Sequence, residues 1–398
     1  APDTGAGSTD STDSSAAGGD ASLVIWADEL RANVLRPFAE QFGEANGITV
    51  DVQQVDNAEL QANFITAANA GEGPDIIISA SDQIGNYVQN GVIAPITLNA
   101  EQQALFQPIA IQGVTYNDQI YALPYAVENI ALFRNTDLVP DAPATLEDLA
   151  TAGKALVDAG TVTNSLALQV GQNGDAYHME PLFTSAGGYL FGQDESGAYD
   201  PTDLGLAQPA AAAALTKIQQ FAQTGALSTA VTPDNAISLF AEGQAPFLVS
   251  GPWAVNTIKE AGLSYEIAPV PPFAGGDVAR PFVGVQSFLI SSKGANQAFA
   301  EEFVLNFVGQ DEEVALALFD AEPRPSALLS AFEQESASDP DIAAFGAAAA
   351  DGQIIPSIPE MAAVWGPLGI AQAAAVNGDD PTTAIEAAAT AIQDAIAG

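Results

Sequence analysis

Cysteine is missing altogether from the 398 residues, and histidine occurs once. The first absence excludes a disulfide framework, thiolate metal sites and cysteine nucleophiles. The second leaves an ordinary zinc site short of ligands, and a Ser-His-Asp triad would have only His178 to use. Basic residues are also scarce: nine Lys or Arg stand against fifty Asp or Glu, a formal net charge of -41 at pH 7. Acids at 50 of 398 hold about half of the roughly 25% charged content of an ordinary soluble protein, so the imbalance comes from missing cations. Nucleic acid is thereby excluded as a general partner, because phosphate binding needs clustered cations. Docking on an anionic membrane through a basic patch is argued against on the same ground. No run of eighteen apolar residues occurs, which excludes a membrane-spanning helix. There is neither a Gly-rich phosphate loop nor a Gly-x-Ser-x-Gly elbow, and no cofactor or metal is implied.

What is present is enough apolar material to fold. Hydrophobic residues make up 48% of the chain, so its charge does not imply disorder. The length corresponds to roughly two to three domain-sized units. Residues 1–21 are built mainly of Ala, Gly, Ser, Thr and Asp and read as a flexible tether. With a first residue that is Ala and not Met, this predicts a processed, exported chain held at a surface by its N-terminus.

From Ser22 onward the patterning is regular. Ser22-Leu-Val-Ile-Trp26 reads as a strand, and Leu30, Val34, Leu35, Phe38 and Phe42 lie at helical spacing up to Gly43 and Gly47. A second strand at 48–52, a helix at 59–70 and the apolar strand Asp75-Ile-Ile-Ile78 follow. That alternation predicts an α/β protein with a parallel sheet covered on both faces. Helices are predicted over 207–224, 296–309 and 311–320. A last one follows Asp380-Pro381 and carries Ile385, Ala389, Ile392 and Ile396 on one face. The Ala-rich stretches at 210–214, 347–350 and 373–375 read as helix surface.

An ordered series of short segments then carries a resemblance. Gly71-Glu-Gly-Pro-Asp-Ile-Ile77 is followed by Gly85-Asn-Tyr87 and by Tyr121-Ala-Leu-Pro-Tyr-Ala-Val-Glu-Asn129. Ala176-Tyr-His-Met-Glu-Pro181 comes next, with Gly187-Gly-Tyr189 and Ser250-Gly-Pro-Trp253. The series ends in Pro281-Phe-Val-Gly-Val285, Ile355-Pro-Ser-Ile-Pro-Glu-Met361 and Trp365. Over about residues 22–398 the chain resembles the maltose/maltodextrin-binding proteins of ABC importers. The resemblance implies a two-lobed periplasmic-binding-protein fold, with three interlobe crossovers near 127–129, 283–287 and 329–334. The N-terminal lobe would comprise 22–128 and 285–330, the C-terminal lobe 129–284 and 331–398. It further implies a monomeric lipoprotein, tethered outside the cell membrane, that closes on a sugar and delivers it to a membrane permease.

A sugar offers apolar C–H faces for aromatic rings and a rim of hydroxyls for carboxylates, whose charge-assisted bonds contribute roughly 1.5–3 kcal/mol each. Asp28 and Glu29 follow the first strand, either as ligand contacts or as an N-cap with an acidic first turn. Asp82 matches the family's sugar-binding acid, against a cap or turn role. Glu128 stands at an expected crossing. Asp175 and Tyr177 match the acid and stacking tyrosine of the second lobe, against an ordinary polar loop, with His178 in place of an aromatic. Trp253 and Trp365 match the two second-lobe stacking rings, against burial in the core; Trp26 reads as core.

The chain also departs from the family. Ser79 stands for a Trp, Gln83 for an Arg, Gly366 for a Tyr and Gly369 for an Arg. These departures predict a roomier cleft with several acids and almost no cations, suited to a neutral sugar and to maltotriose or longer chains. Two alternatives stay open: a different oligosaccharide, such as trehalose, a sucrose-type or a plant-derived sugar, and a glycoside hydrolase using Glu128 and Asp175 as a carboxylate pair.

Overall fold

A computed structural model describes residues 22–398; the tether assigned to residues 1–21 lies outside them. Ser22–Ala27, Thr49–Gln54 and Ile76–Ala80 form a parallel group, with the first strand paired to the second along all six residues. Ile76, Ile77 and Ile78 are all buried, as expected for a strand covered on both faces. The helix Glu29–Asn46 between the first two strands opens on Asp28, whose side chain accepts from the Arg31 N–H. It closes at Gly47, whose φ of 65° is the left-handed conformation that favours glycine. Phe282–Ile290 then runs antiparallel to Ile76–Ala80 on one edge and to Ala122–Asn129 on the other. The sheet therefore mixes strands from distant parts of the chain.

Ala122–Asn129 is followed, after Ile130 alone, by Ala131–Asn135, the middle strand of a second sheet. Phe247–Ser250 and Tyr265–Ala268 flank it, both antiparallel. Helices Leu146–Asp158, Ala176–Ser185, Pro209–Gln223, Trp365–Val376 and Pro381–Ala397 bury Leu149, Met179, Phe183, Leu215, Leu368 and Ile392 in one core. The first sheet has its own core, around Leu23, Ile25, Phe64, Ile77, Phe288 and Phe303. The chain thus folds as a two-lobed α/β body. The short strand Gln353–Ile354 pairs with Phe282–Val283 before the chain enters its final helices.

Four details differ from the sequence reading. The segment predicted as one helix over 296–309 is α-helical at Gln297–Glu301 and widens to π-helical turns over Glu302–Val308, where Phe303 and Phe307 both meet Phe42 at 5.2 Å. The alanine stretches are only partly surface: Ala210, Ala213, Ala347 and Ala350 are exposed, but Ala211, Ala214, Ala348, Ala373 and Ala375 are buried. Their small side chains let neighbouring helices approach closely. Trp26 is half-buried on the alternate phase of its strand, its indole N–H donating to Gln53 Oε1 at 2.9 Å. Ile396, in the last turn of the final helix, stays exposed while Ile385 and Ile392 are buried.

Candidate ligand-binding cleft

The helix Ala176–Ser185 starts at Asp175, whose carboxylate accepts from the His178 N–H at 2.9 Å and from Gln169 Nε2 at 2.5 Å. The same carboxylate lies 3.1 Å from His178 Nδ1. Burial alone would push Asp175 up, but its bonds to His178 and Gln169 hold it below the ordinary carboxylate range. One residue into the helix, Tyr177 lies on Phe282, with ring centroids 5.9 Å apart and planes 25° from parallel. Trp365 meets the same Phe282 edge-on at 5.4 Å. Trp253 stands 6.5 Å from Tyr177 and 6.2 Å from His178 and remains 37% exposed. Its position depends on Gly251, because a Cβ there would come within 2.2 Å of the indole ring. Tyr177 and Trp365 thus pack on one buried phenylalanine, and Trp253 and His178 pack against Tyr177, with Trp253 facing solvent.

Charged groups converge on this cluster from the first sheet. Asp82 follows Ile76–Ala80 in a single tight turn, Ser81–Gln83, and accepts from Gln83 Nε2 at 2.9 Å. Burial, with a smaller contribution from the charge of Glu128, pushes its carboxyl above the ordinary value. Glu128 Oε1 accepts from Gln286 Nε2 at 3.1 Å, and its Oε2 lies 3.0 Å from Arg324 Nε. Arg324 Nη2 pairs with Glu322 at 2.7 Å, and the other oxygen of Glu322 pairs with Arg31 Nη2 at 2.5 Å. Arg31 continues the relay to Asp28 at 2.9 Å and donates through Nε to the Tyr125 hydroxyl at 2.9 Å. Burial works against the Arg31 cation, but Tyr125, Asp28 and Glu322 outweigh it and raise its pKa. The Tyr177 hydroxyl is driven upward by burial, then by the charges of Glu128, Asp175 and Asp82, with Arg324 opposing them.

The structure therefore gathers Asp82, Glu128, Asp175, Tyr177, His178, Trp253 and Trp365 into one region. Asp28 sits at the far end of the relay, as N-cap and partner of Arg31. Glu29 stays exposed on an open groove with Asn33, Gln54 and Asp56. The expectation of almost no cations does not hold, since Arg31 and Arg324 are two of the nine basic residues of the chain. Sequence reasoning missed both, together with Tyr125, Gln286 and Phe282. The one signal for Arg324 was its context, a rare cation held between Pro323 and Pro325 outside any helix.

The expected extra room is also only partly there. A side chain at Gly366 would meet nothing within 4 Å, but one at Gly369 would come within 3.0 Å of the Asn173 carbonyl. Ser79 is buried beneath the region and bonded to the Tyr87 hydroxyl at 3.1 Å. Among the described residues no group of His, Asp and Glu is placed to hold a metal ion, and no helix is long and apolar enough to cross a membrane.

Residues 38–344 match the family of bacterial extracellular solute-binding proteins. The chain is 30% identical over 380 residues to the galactooligosaccharide-binding protein of Bacillus subtilis (strain 168), covering 92% of this chain and 87% of that protein. It is 29% identical over 358 residues to the maltotriose-binding protein of Pyrococcus abyssi, covering 87% of this chain and 76% of that one. With a maltooligosaccharide ABC transporter solute-binding lipoprotein of Streptococcus pneumoniae it shares 24% identity over 382 residues, 94% of this chain and 88% of the relative. These relatives are named for binding and not for catalysis, which removes the hydrolase reading of Glu128 and Asp175. With two lobes meeting around a cluster of rings and carboxylates, and with this match across most of its length, the chain belongs to the bacterial extracellular solute-binding protein family.

Proposed function

We propose that this solute-binding protein captures a neutral oligosaccharide of the malto- or galacto-type between its lobes and presents it to the permease of an ABC importer. The observation that carries the reading is the convergence on Tyr177. Its ring rests on Phe282 beside Trp253 and Trp365, while Glu128, Asp175 and Asp82 act on its hydroxyl. Rings supply flat apolar platforms for sugar C–H faces, and the carboxylates accept sugar hydroxyls. His178 holds Asp175 in place and edges the platform. Asp28 and Glu29 contribute at the outer end of the cleft, Asp28 through its pairing with Arg31.

Capture proceeds by hinge closure, the ligand favouring the conformation in which both lobes touch it. The chain passes between lobes at Ile130, between Ala268 and Phe282, and in the stretch leading to Gln353–Ile354. These three passages serve as the hinge in this reading. A galacto-oligosaccharide is favoured beside the malto-series by the name of the Bacillus relative. The protein acts as a monomer, tethered outside the cell membrane as the pneumococcal relatives named lipoproteins suggest. A thermal-shift panel of neutral oligosaccharides tests the reading. A ligand that binds only the folded state raises the unfolding midpoint, and the rise grows with the logarithm of ligand concentration above its Kd. The expected result is a rise with malto- or galacto-oligosaccharides; no rise with any sugar contradicts it.

A further inference from the structure

The three passages proposed as the hinge lie side by side. Asn129 pairs with Val283 and Val283 with Ile354, so a single rung of the first sheet carries all three. The two cores meet at the same rung: Val127, Val283 and Ile354 belong to the first, Ile130 and Phe282 to the second, and Ile355 packs against the second. Two side chains of the second lobe fasten onto the last of these strands. The Tyr199 hydroxyl donates to the Ile354 carbonyl at 2.5 Å, and Glu180 Oε1 accepts from Gln353 Nε2 at 2.6 Å. Glu180 is fully buried, and its Oε2 has no hydrogen-bond partner among the described residues. No opposite charge compensates it. Trp365–Val376 and Phe282–Ile290, packed on the helix of Glu180, carry no titratable side chain, and Pro209–Gln223 carries only Lys217, which pairs with Glu147. Asp175, Tyr177 and His178 lie at the start of its own helix. On the strand of Tyr199, Asp200 is turned to Thr202 and Asp203 to Tyr189. Around Gln353, Arg280 is exposed and donates to the Asp351 carbonyl, and Glu360 acts on Tyr116. Burial therefore sets the state of Glu180, pushing it well above the ordinary carboxyl value with Gln353 alone opposing.

In this conformation Glu128, Asp82 and Arg324 of the first lobe act on the Tyr177 hydroxyl of the second, so the lobes stand together while Glu180 is buried. We infer that Glu180 is a positioning residue for lobe closure: as the neutral acid it seats its helix on the crossing strand Gln353–Ile354, and as the carboxylate it parts the two and opens the cleft. A buried carboxylate with a single hydrogen bond is strongly disfavoured, and the water regained when the helix leaves the strand relieves it. Tyr177, three residues earlier on the same helix, moves with it, which links the proton to the aromatic platform. Glu180 itself touches no sugar. The coupling is reciprocal: a proton that favours the closed form is taken up when sugar closes the lobes. An acid raised in the closed form and ordinary in the open one weakens binding as pH rises above the ordinary carboxyl value, by at most about tenfold per pH unit for one proton. The inference rests on the hinge-closing receptor reading and adds proton control to it.

The test is calorimetric titration of the full chain and of Glu180→Gln with maltotriose and with galactotriose at about pH 5 to 8, each in two buffers of different ionisation heat. Wild-type protein is expected to bind one of these sugars about tenfold or more weakly at the upper end of that range than at the lower, and to take up protons on binding near neutral pH. Glu180→Gln keeps the acceptor for Gln353 and mimics the neutral acid. It should match the wild type at the acid end and lose most of the pH dependence and of the proton uptake. A purely structural Glu180 would move the melting midpoint and leave both of these readouts alike in the two proteins. Should Glu180→Gln not fold, Gln353→Met takes its place: it removes the one bond that favours the carboxylate and should shift the fall in affinity to higher pH. Equal pH profiles and proton counts in the wild type and Glu180→Gln, an unshifted profile in Gln353→Met, or wild-type binding without proton uptake overturns the inference and leaves the receptor reading standing. Wild-type protein that binds neither sugar at any pH overturns both.

Discussion

Tyr177 and Phe282 lie nearly parallel, with ring centroids 5.9 Å apart, although they belong to different elements of a chain that separates them by more than a hundred residues. Phe282 is fully buried and opens the strand that the first sheet shares with Ala122–Asn129. The platform for the proposed ligand is therefore built on a residue that the ligand does not touch. Replacing Phe282 by Leu keeps the site apolar but removes part of its volume, at a cost on the order of 1–2 kcal/mol of stability. The flat support is lost, and an aromatic pair contributes about 0.5–1.5 kcal/mol beyond burial. Phe282→Leu should therefore fold and bind sugar about 2- to 10-fold more weakly, measured by calorimetry beside a thermal melt.

Trp253 offers the opposite separation of effects. It is 37% exposed and caps no core, so Trp253→Ala should leave the unfolding midpoint almost unchanged. As an aromatic anchor at the cleft mouth it should nonetheless be worth a tenfold or greater loss of affinity. Ligand addition should also change the tryptophan fluorescence of the wild type, and that change should shrink in the variant.

Glu180 lies on the same helix as Tyr177, is fully buried and has one partner, Gln353 Nε2, at 2.6 Å. Burial holds its carboxyl well above the ordinary value, with Gln353 only partly opposing, and Oε2 has no hydrogen-bond partner. An acid raised in the folded state binds more protons there than in the unfolded chain, so stability falls as pH rises from the ordinary carboxylate pKa toward the folded one. Glu180→Gln keeps the acceptor for Gln353 and removes the titration. Its melting midpoint should exceed that of the wild type at pH 8 and converge with it near pH 4.

Asp175, five residues earlier, shifts the other way. Its carboxyl is held below the ordinary range despite burial, by His178 and Gln169. A depressed acid contributes stability above its unfolded pKa and loses it as pH falls through the lower folded value. Asp175→Asn retains an N-cap but not the charge. It should melt lower than wild type at pH 7, with the difference closing in strong acid, as followed by circular dichroism.

The sequence made the fold and the rings legible for definite reasons. Strand runs such as Ile76–Ile78 and the spacing of Leu35, Ala39 and Phe42 carry their periodicity locally. Trp253 and Trp365 stand in Gly- and Pro-marked segments that the family resemblance picks out. The relay from Asp28 through Arg31, Glu322 and Arg324 to Glu128 was not legible, because its members come from three distant stretches that only the folded sheets bring together. Phe282 was hidden similarly: an apolar residue at the start of a strand shows nothing of what will stack on it. Gly369 misled in the other direction. Read as missing bulk, it sits where a Cβ would come within 3.0 Å of the Asn173 carbonyl and 3.3 Å of Gly174. The candidate residues and the departures from the family implied a cleft with several acids and almost no cations. The structure instead sets two guanidinium groups, Arg31 and Arg324, among those acids.

The most direct measurement of the central claim is a calorimetric titration of the whole chain with maltotriose and with galactotriose, repeated on Trp253→Ala. The account predicts saturable one-to-one binding of at least one of these sugars by the wild type, weakened at least tenfold in the variant. Absence of binding heat and of any thermal shift for both sugars, or equal affinity in the wild type and the variant, would contradict it.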